Sequence, residues 1–295
     1  MGLETYRDPI NHMNNKEREG ETRLLMKLSQ KLLIKPRKKV RVKLRDWDPN
    51  YTAGKRREDV ENEMVNFPTQ VSKLQYRLFV ANKQSLLIIL QGADTSGKDG
   101  TIRNVMGGLN PQSCYVKPFT VPSAEELSHD YLWRIHAALP PKGQIAVFNR
   151  SHYEDLIKVR VLNLVSESKL IPRYRQINDF ERYLTENDIT ILKFFLYISK
   201  DEQKNRLQQR LEDWTKHWKL SERDLEDRKY WDNYMESYEE ALSECNTKWA
   251  PWYIIPANSK WFRNWAVAQI ILETLESMKL EYSRPKIDTS KFVIV

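Results

Sequence analysis

Leu86-Leu-Ile-Ile-Leu-Gln-Gly-Ala-Asp-Thr-Ser-Gly-Lys-Asp-Gly100 decides the fold. Its apolar run, bounded by Ser85 and Gly92, predicts a strand buried on both faces, as a parallel sheet demands. The run breaks into glycines, a lysine and a polar helix start. Gly92-x4-Gly97-Lys98 fits the P-loop pattern: glycines let backbone N–H groups turn inward around phosphate oxygens, the following helix adds its positive N-terminus, and Lys98 adds a mobile charge. Ala93, Thr95, Ser96 and Gly100 complete the candidate cradle. Asp99 stands where most nucleoside-triphosphate hydrolases place the Ser/Thr that holds magnesium, so metal ligation must come from elsewhere. Asp94, inside the loop, is the first candidate. A glycine-rich turn between strand and helix is the plainer alternative. Against it stand the helical spacing of Thr101, Ile102, Val105 and Leu109 and a second acidic motif downstream.

That motif follows the next buried strand, Gln144-Ile-Ala-Val-Phe148, and reads Asn149-Arg-Ser-His-Tyr-Glu-Asp155. Carboxylates at a strand's C-terminal end, near a P-loop, are the Walker-B arrangement that holds or orients magnesium. Ser151-x-x-Glu154 is also a capping box, which would occupy Glu154 with backbone donors. Asp155 and Arg150 are therefore the preferred functional residues, with Glu154 beside them.

The remaining elements alternate as an α/β chain should. Ser113 to Pro118 is a short strand, and Ser123-x-x-Glu126 caps a helix running to Leu139 before Pro140-Pro141. Pro172 to Asn187 is an amphipathic helix, Ile189 to Ile198 a strand, and Ser199-x-x-Glu202 the cap of the next helix. That helix carries Arg206 and Arg210, and Lys216 and Lys219 follow, where small phosphotransferases place a cationic lid. Residues 221–244 read as a further helix with a Tyr230, Tyr234, Tyr238 stripe, read as core or subunit interface. Trp252 to Pro256 is the last strand. A closing helix from Asn258 packs Trp261, Trp265, Ala268, Leu272 and Leu275 on the sheet.

Upstream, residues 1–22 form a polar tail, and Leu24, Leu25, Leu28 and Leu32 repeat at helical spacing. Val40, Val42 and Leu44 alternate with Arg41, Lys43 and Arg45, predicting an edge strand or extended arm with a basic face. Residues 56–82 read as a helix interrupted or bent at Pro68. The expected organisation is a basic arm over 1–55, a kinase-like domain over 56–282 with a lid at about 203–222, and a tail over 283–295.

With 48 Lys+Arg against 40 Asp+Glu, the 295-residue chain carries a net charge of +8, which suits a polyanionic partner. A solvated basic surface would look the same, and charge alone does not separate nucleic acid, inorganic polyphosphate and anionic lipid. No apolar run approaches the roughly 18 residues of a membrane span, and no signal segment is read, so a cytoplasmic protein without membrane association is expected. Cys114 and Cys245 form neither a disulfide framework nor a zinc site, and neither has a neighbouring His.

With these motifs in place, the chain closely resembles the polyphosphate kinase 2 family over about residues 37–282, and within it the branch called class III. Gly92-Ala-Asp-Thr-Ser-Gly-Lys-Asp-Gly100 carries that family's loop, which makes Asp99 regular. Val121-Pro-Ser-Ala-Glu-Glu-Leu127, Asp130-Tyr-Leu-Trp-Arg134, Phe148 to Asp155, Lys193 to Ser199, Trp218-Lys219 and Ala250 to Pro256 match further. Asn149 stands where many relatives have Asp.

The resemblance implies a P-loop kinase: a parallel sheet between two helical layers, with a helical lid. It would pass phosphoryl groups from inorganic polyphosphate to AMP and ADP, with adenine, or else guanine, as the base. Magnesium, with manganese as a substitute, would be required, and a homo-oligomer, dimer or tetramer, is expected. Asp94 and Asp155 would act on metal and on the acceptor phosphate; Lys98, Arg150, Arg206, Arg210 and Lys219 would hold phosphates. Charge and position near the strand ends add Arg103, Arg134, Lys158, Arg160 and Arg173 as candidates for a basic channel. Two alternatives stay open: an ATP-consuming nucleotide kinase, and a nucleic-acid-binding or regulatory P-loop protein, although no nucleic-acid-binding motif is present.

Overall fold

Ser85–Gln91 (β1) is the central strand of a five-stranded parallel sheet and is buried throughout. We describe a computed structural model over residues 29–36, 41–220 and 222–282; Leu24, Leu25, Leu28, Val40, Ser221 and both expected tails lie outside the described residues. Cys114–Pro118 (β2), Ile145–Asn149 (β3), Ile189–Tyr197 (β4) and Trp252–Pro256 (β5) complete the sheet in the order β2-β3-β1-β4-β5. Leu86 pairs with Ile145 on one side and Thr190 on the other. With β3 and β4 both flanking β1, the loop after β1 opens at the switch point where ligands of open α/β sheets bind.

Alternation along β1 feeds two cores. Leu86, Ile88 and Leu90 pack with Arg57–Ala81 (α1), Lys98–Val105 (α2) and the C-terminal Lys260–Ser277 (α10). Leu87 and Ile89 face Glu154–Val161 (α5), Glu167–Glu186 (α6) and Trp231–Glu244 (α9). Each such side chain contributes about 1.5–3 kcal/mol on burial, which is why β1 is apolar on both faces. Helices on both faces of one parallel sheet are the expected three-layer P-loop architecture.

Several boundaries differ from expectation. The helix begun by the Ser123 capping box is two short ones, Ala124–Ser128 (α3) and Trp133–His136 (α4), because the Asp130 side chain accepts from Leu132 N at 2.9 Å and nucleates a separate turn. Pro68 and Pro172 both lie inside continuous helices, α1 and α6. The expected lid helix is Lys200–Glu212 (α7) followed by a 3₁₀ segment, Trp214–Lys219. The expected helix over 221–244 is interrupted at Tyr230, between Glu222–Lys229 (α8) and α9.

The arm touches the sheet edge at one antiparallel bridge, Leu33 with Tyr253 of β5, and Ile34 N donates to Trp252 O at 2.9 Å; farther on its amides are met by side chains of α9, Val42 N by Ser243 Oγ at 2.8 Å and Leu44 N by Glu239 Oε1 at 2.7 Å. Val42 and Leu44 are buried, as the alternation predicts. Lys43 faces Glu239 at 3.7 Å and Arg41 faces Glu236 at 3.9 Å, so this basic face docks on acidic α9.

Candidate active site

The loop after β1 depends on two glycines. Gly92 has φ +150° and Gly97 φ +104°; a Cβ on Gly92 would lie 2.7 Å from Leu196 O, and one on Gly97 would overlap the Arg263 guanidinium. Thr95, a β-branched residue, is also held at φ 66°, a conformation that costs on the order of 1–3 kcal/mol. Ser96 N donates to Ala93 O at 3.0 Å, and α2 begins directly after Gly97.

Lys98 reaches back over its own loop, donating to Gly92 O at 2.7 Å and Ala93 O at 3.2 Å. Its pKa falls to about 8: burial is the largest cause and Arg150 adds to it, while Asp94, Glu154 and Asp99 pull the other way. The Oγ1 of Thr95 and the Oγ of Ser96 are buried without a hydrogen-bond partner among the described residues. The loop therefore brings a cation and the Thr95 hydroxyl to the cavity wall, a combination that fits phosphate oxygens, whereas Ser96, expected in the cradle, is fully buried and lines neither space.

The second strand end supplies Arg150, also left-handed at φ 64°, with Arg150 N bonded to Leu90 O at 3.0 Å. This turn sends Arg150 Nη2 to Asp94 Oδ1 at 2.7 Å, part-buried. Burial pushes Asp94 up, but Lys98, Arg150 and Lys158 more than offset it and hold the carboxyl below its usual range. Glu154 goes the other way: burial outweighs Arg150 and Lys98 and raises it.

The expected capping box at Ser151 does not form. Tyr153 takes the N-cap of α5, and Ser151 Oγ accepts from Tyr153 N at 3.2 Å. Glu154 is thereby spared; with its amide oriented to satisfy both ends, Gln91 donates to Glu154 Oε1 at 3.1 Å.

Asp155, the carboxylate preferred from the sequence, is turned elsewhere. It sits 3.3 Å from Arg134 Nη2, and Arg173 Nη1 donates to its backbone oxygen at 2.7 Å. Helical rotation explains the exchange: adjacent residues at the start of α5 point about 100° apart, so Glu154 faces the loop and Asp155 the α4 side. Glu154, not Asp155, lies with Asp94 in one pocket.

A cavity of about 1170 Å³ opens in front of the loop, walled among the described residues by ten cationic and three acidic side chains. Thr95, Gly97, Lys98, Asp99, Gly100, Arg103, Asn149, Arg150, Arg206, Arg210, Lys216 and Lys219 line it as expected from the sequence. Asn149 Nδ2 donates to Asp99 Oδ1 at 2.8 Å, tying the two strand-end motifs together. Gly92, Ala93, Glu154 and Lys158 line a smaller pocket of about 30 Å³ that shares only Asp94 and Arg150 with the first. Tyr234 and Tyr238 also line this pocket, so part of the expected aromatic core stripe borders the site.

Three proposed channel residues line neither space. Arg134 pairs with Asp155 and Glu126, Arg160 with Glu240, and Arg173 lies over the Tyr131 ring. Sequence reasoning missed Arg57, Lys260 and Arg263 on the cavity wall. Lys260 and Arg263 begin a helix read only for its apolar stripe; the available signal was that it follows β5, whose end also belongs to the switch-point edge.

The low Lys98 pKa gives an expected pH profile. The loop loses its cation as pH rises through about 8, so kcat/KM should fall there with the slope of one proton. In kcat the limb should move higher, because bound anion favours the ammonium form. A kcat/KM flat to pH 9.5 would show that Lys98 does not titrate in the free enzyme near 8.

A model of the family described as Polyphosphate kinase 2 matches residues 54–283. The chain is 48% identical over 257 residues to the AMP/ADP-polyphosphate phosphotransferase of Meiothermus ruber, covering 86% of this chain and 96% of that protein. It is 45% identical over 225 residues to the ADP-polyphosphate phosphotransferase of Rhodopseudomonas palustris, covering 72% and 78%. The crystal structure of polyphosphate kinase 2 from Arthrobacter aurescens TC1 superposes with a TM-score of 0.85 at 39% identity, over 89% of this chain and 94% of that one. On the family model's match over most of the chain and the relatives that share its length, the chain belongs to the polyphosphate kinase 2 family.

Proposed function

We propose that the protein transfers the terminal phosphoryl group of inorganic polyphosphate to AMP and ADP, giving ADP and ATP. The observation that carries this reading is the cavity: a P-loop with its lysine opens into a space walled mainly by cations, wide enough for two polyanions to meet. A phosphate oxygen of AMP or ADP is already a nucleophile, so the chain's task is positioning and charge neutralisation. The acceptor oxygen attacks the terminal phosphorus, the bridging P–O bond breaks, and the shortened polyphosphate leaves with that bond's electron pair. Lys98 would exchange its loop carbonyls for phosphate oxygens, and Arg150 would hold the acceptor on the far side of the transferring group. The loop amides and the start of α2 would face the charge that develops between them.

The donor set fits magnesium or manganese held jointly with substrate. Among the described residues no group of three or more His, Cys, Asp or Glu side chains is arranged to hold a metal alone. Magnesium is commonly held by one or two carboxylates plus substrate phosphates, and Asp94 and Glu154 are the carboxylates beside the loop. When bound, the metal would neutralise charge on the phosphates being joined. Asp94→Asn should raise the magnesium concentration needed for half-maximal rate several-fold; an unchanged metal titration would assign the metal elsewhere.

The same reading takes the protein as a cytoplasmic homo-oligomer acting on adenine nucleotides, with guanine nucleotides as a second acceptor to be assayed. No described helix is long and apolar enough to cross a membrane. The deciding experiment incubates the protein with magnesium, AMP and long-chain polyphosphate and looks for ADP and ATP. Product formed from ATP and AMP but not from polyphosphate would favour an ATP-consuming nucleotide kinase instead.

A further inference from the structure

Arg206 stands on the cavity wall in a place where family likeness puts a phosphate contact, yet its donors are already committed. Nε donates to Glu202 Oε1 at 2.6 Å, Nη1 to Thr95 O at 2.9 Å and Ser96 O at 3.1 Å, and Nη2 to Ala257 O at 2.6 Å and Asn258 O at 3.0 Å. The side chain is only 6% exposed. From α10, buried Arg263 adds a second donor to Ser96 O at 3.2 Å, and from α7 Gln203 Nε2 reaches Asp94 O at 3.2 Å. Three successive loop carbonyls, those of Asp94, Thr95 and Ser96, are thus held from behind by side chains.

In a planar trans peptide the N–H points opposite to the preceding C=O. Holding the carbonyls of Asp94 and Ser96 on these side chains therefore fixes the amides of Thr95 and Gly97 in the opposite direction. We propose that Arg206, supported by Arg263 and Gln203, is a positioning residue that sets the direction of the phosphate-loop amides and does not itself bind polyphosphate. The inference rests on the reading of this loop as a phosphate cradle. It also fixes the root of the lid: α7 is pinned to the loop through Arg206, and the 3₁₀ segment that carries Lys216 and Lys219 begins beyond that anchor.

The test compares Arg206→Lys and Arg206→Gln with Arg103→Gln, a cavity-wall cation with no ion-pair partner among the described residues. Two quantities are read: ADP phosphorylation from polyphosphate, and the slope of log Kd for tripolyphosphate against log salt. Lysine keeps the charge but cannot span four carbonyls, so Arg206→Lys should lose about 100-fold or more in kcat/KM, mostly in kcat, because the misdirected amides no longer meet the developing charge. Neither Arg206 variant should change the salt slope, whereas Arg103→Gln should lower it by about one, as expected when one phosphate contact is removed from a polyanion.

An Arg206→Lys enzyme within about threefold of wild type, or a slope lowered by about one in Arg206→Gln, would overturn the proposal. Should the Arg206 variants fail to fold, Arg263→Lys carries the test: about a tenfold loss in kcat/KM with the slope intact supports it, and unchanged kcat/KM overturns it. Wild-type protein inactive with polyphosphate would instead remove the functional reading, a result distinguishable from either outcome.

Discussion

Lys98→Ala should lower kcat for phosphoryl transfer from polyphosphate by a factor of a thousand or more while the protein stays folded. Its ammonium is the one cation that the loop carries within itself, bonded to Gly92 O and Ala93 O and close enough to the Asp94 and Arg150 pair to feel both electrostatically. Charge on a transferring phosphoryl group is stabilised by fixed donors, and removing one such donor typically costs 10²–10³ in rate, with larger losses for cations on the transferring group itself. A thousandfold corresponds to about 4 kcal/mol of transition-state stabilisation. The fold should survive, because burial already disfavours the charged form of Lys98 and alanine removes that cost along with two bonds. Circular dichroism and a thermal melt check the fold; steady-state rates over a range of polyphosphate concentrations separate kcat from KM. Retention of wild-type kcat in a folded Lys98→Ala protein would remove the lysine, and with it the loop chemistry, from the mechanism.

Lys193→Met should be the most destabilising single change, by about 3–5 kcal/mol, the usual result of removing one partner of a buried charge pair. Lys193 lies on β4 with no exposed surface and donates to Glu181 Oε2 at 2.6 Å, to Tyr153 OH at 2.8 Å and to Cys245 O at 2.8 Å. Tyr153 OH in turn donates to Glu181 Oε1 at 2.7 Å, and the ammonium lies over the Tyr153 and Trp252 rings. Burial alone would raise Glu181, but Lys193 and His152 more than offset it and hold the carboxyl below its ordinary value.

That depressed value fixes the sign of the pH dependence. The stability Glu181 contributes is present above its unfolded-state pKa and is lost as pH falls through the lower folded value. In Lys193→Met, burial is left unopposed by the ammonium, so Glu181 should take up a proton at a higher pH than in the wild type. A calorimetric melt should show a fall in Tm of about 10 °C for a chain of this size. Lys193→Met combined with Glu181→Leu should recover much of it, since no unpaired charge stays in the core. A Tm unchanged in the single variant would show that the network contributes little.

The network also explains why this part of the site was hard to read. His152 and Tyr153 stand two and three residues after Arg150, and their anchoring in the core fixes the turn that sets Arg150 and Glu154 on one side and Asp155 on the other. In the sequence, Glu154 and Asp155 are two adjacent carboxylates, and their order of importance depended on whether Ser151 capped the helix. It does not, and the helix begins later than the capping box implies. By contrast, the phosphate loop was legible because glycine is required there by backbone geometry, and β1 because its central Leu86 to Leu90, covered on both faces, is apolar without interruption. The cavity wall was half legible: cations placed on the lid could be found by local composition. Arg263 and Lys260 come from a helix distant in sequence, and Arg57 from one whose relation to the loop only the tertiary packing establishes. Arg134, Arg160 and Arg173 were misplaced for the complementary reason, since proximity to a strand end does not reveal that a carboxylate or an aromatic ring already holds the side chain.

The Asp94 and Arg150 pair is shared by the large cavity and the small pocket behind it, as a common wall. A charge bound in either space that draws on one member of the pair would leave the other less compensated, so binding in one would be felt in the other without any movement of the backbone. Ligand affinities on the two sides are then tied by thermodynamic reciprocity, each changing the other by the same factor.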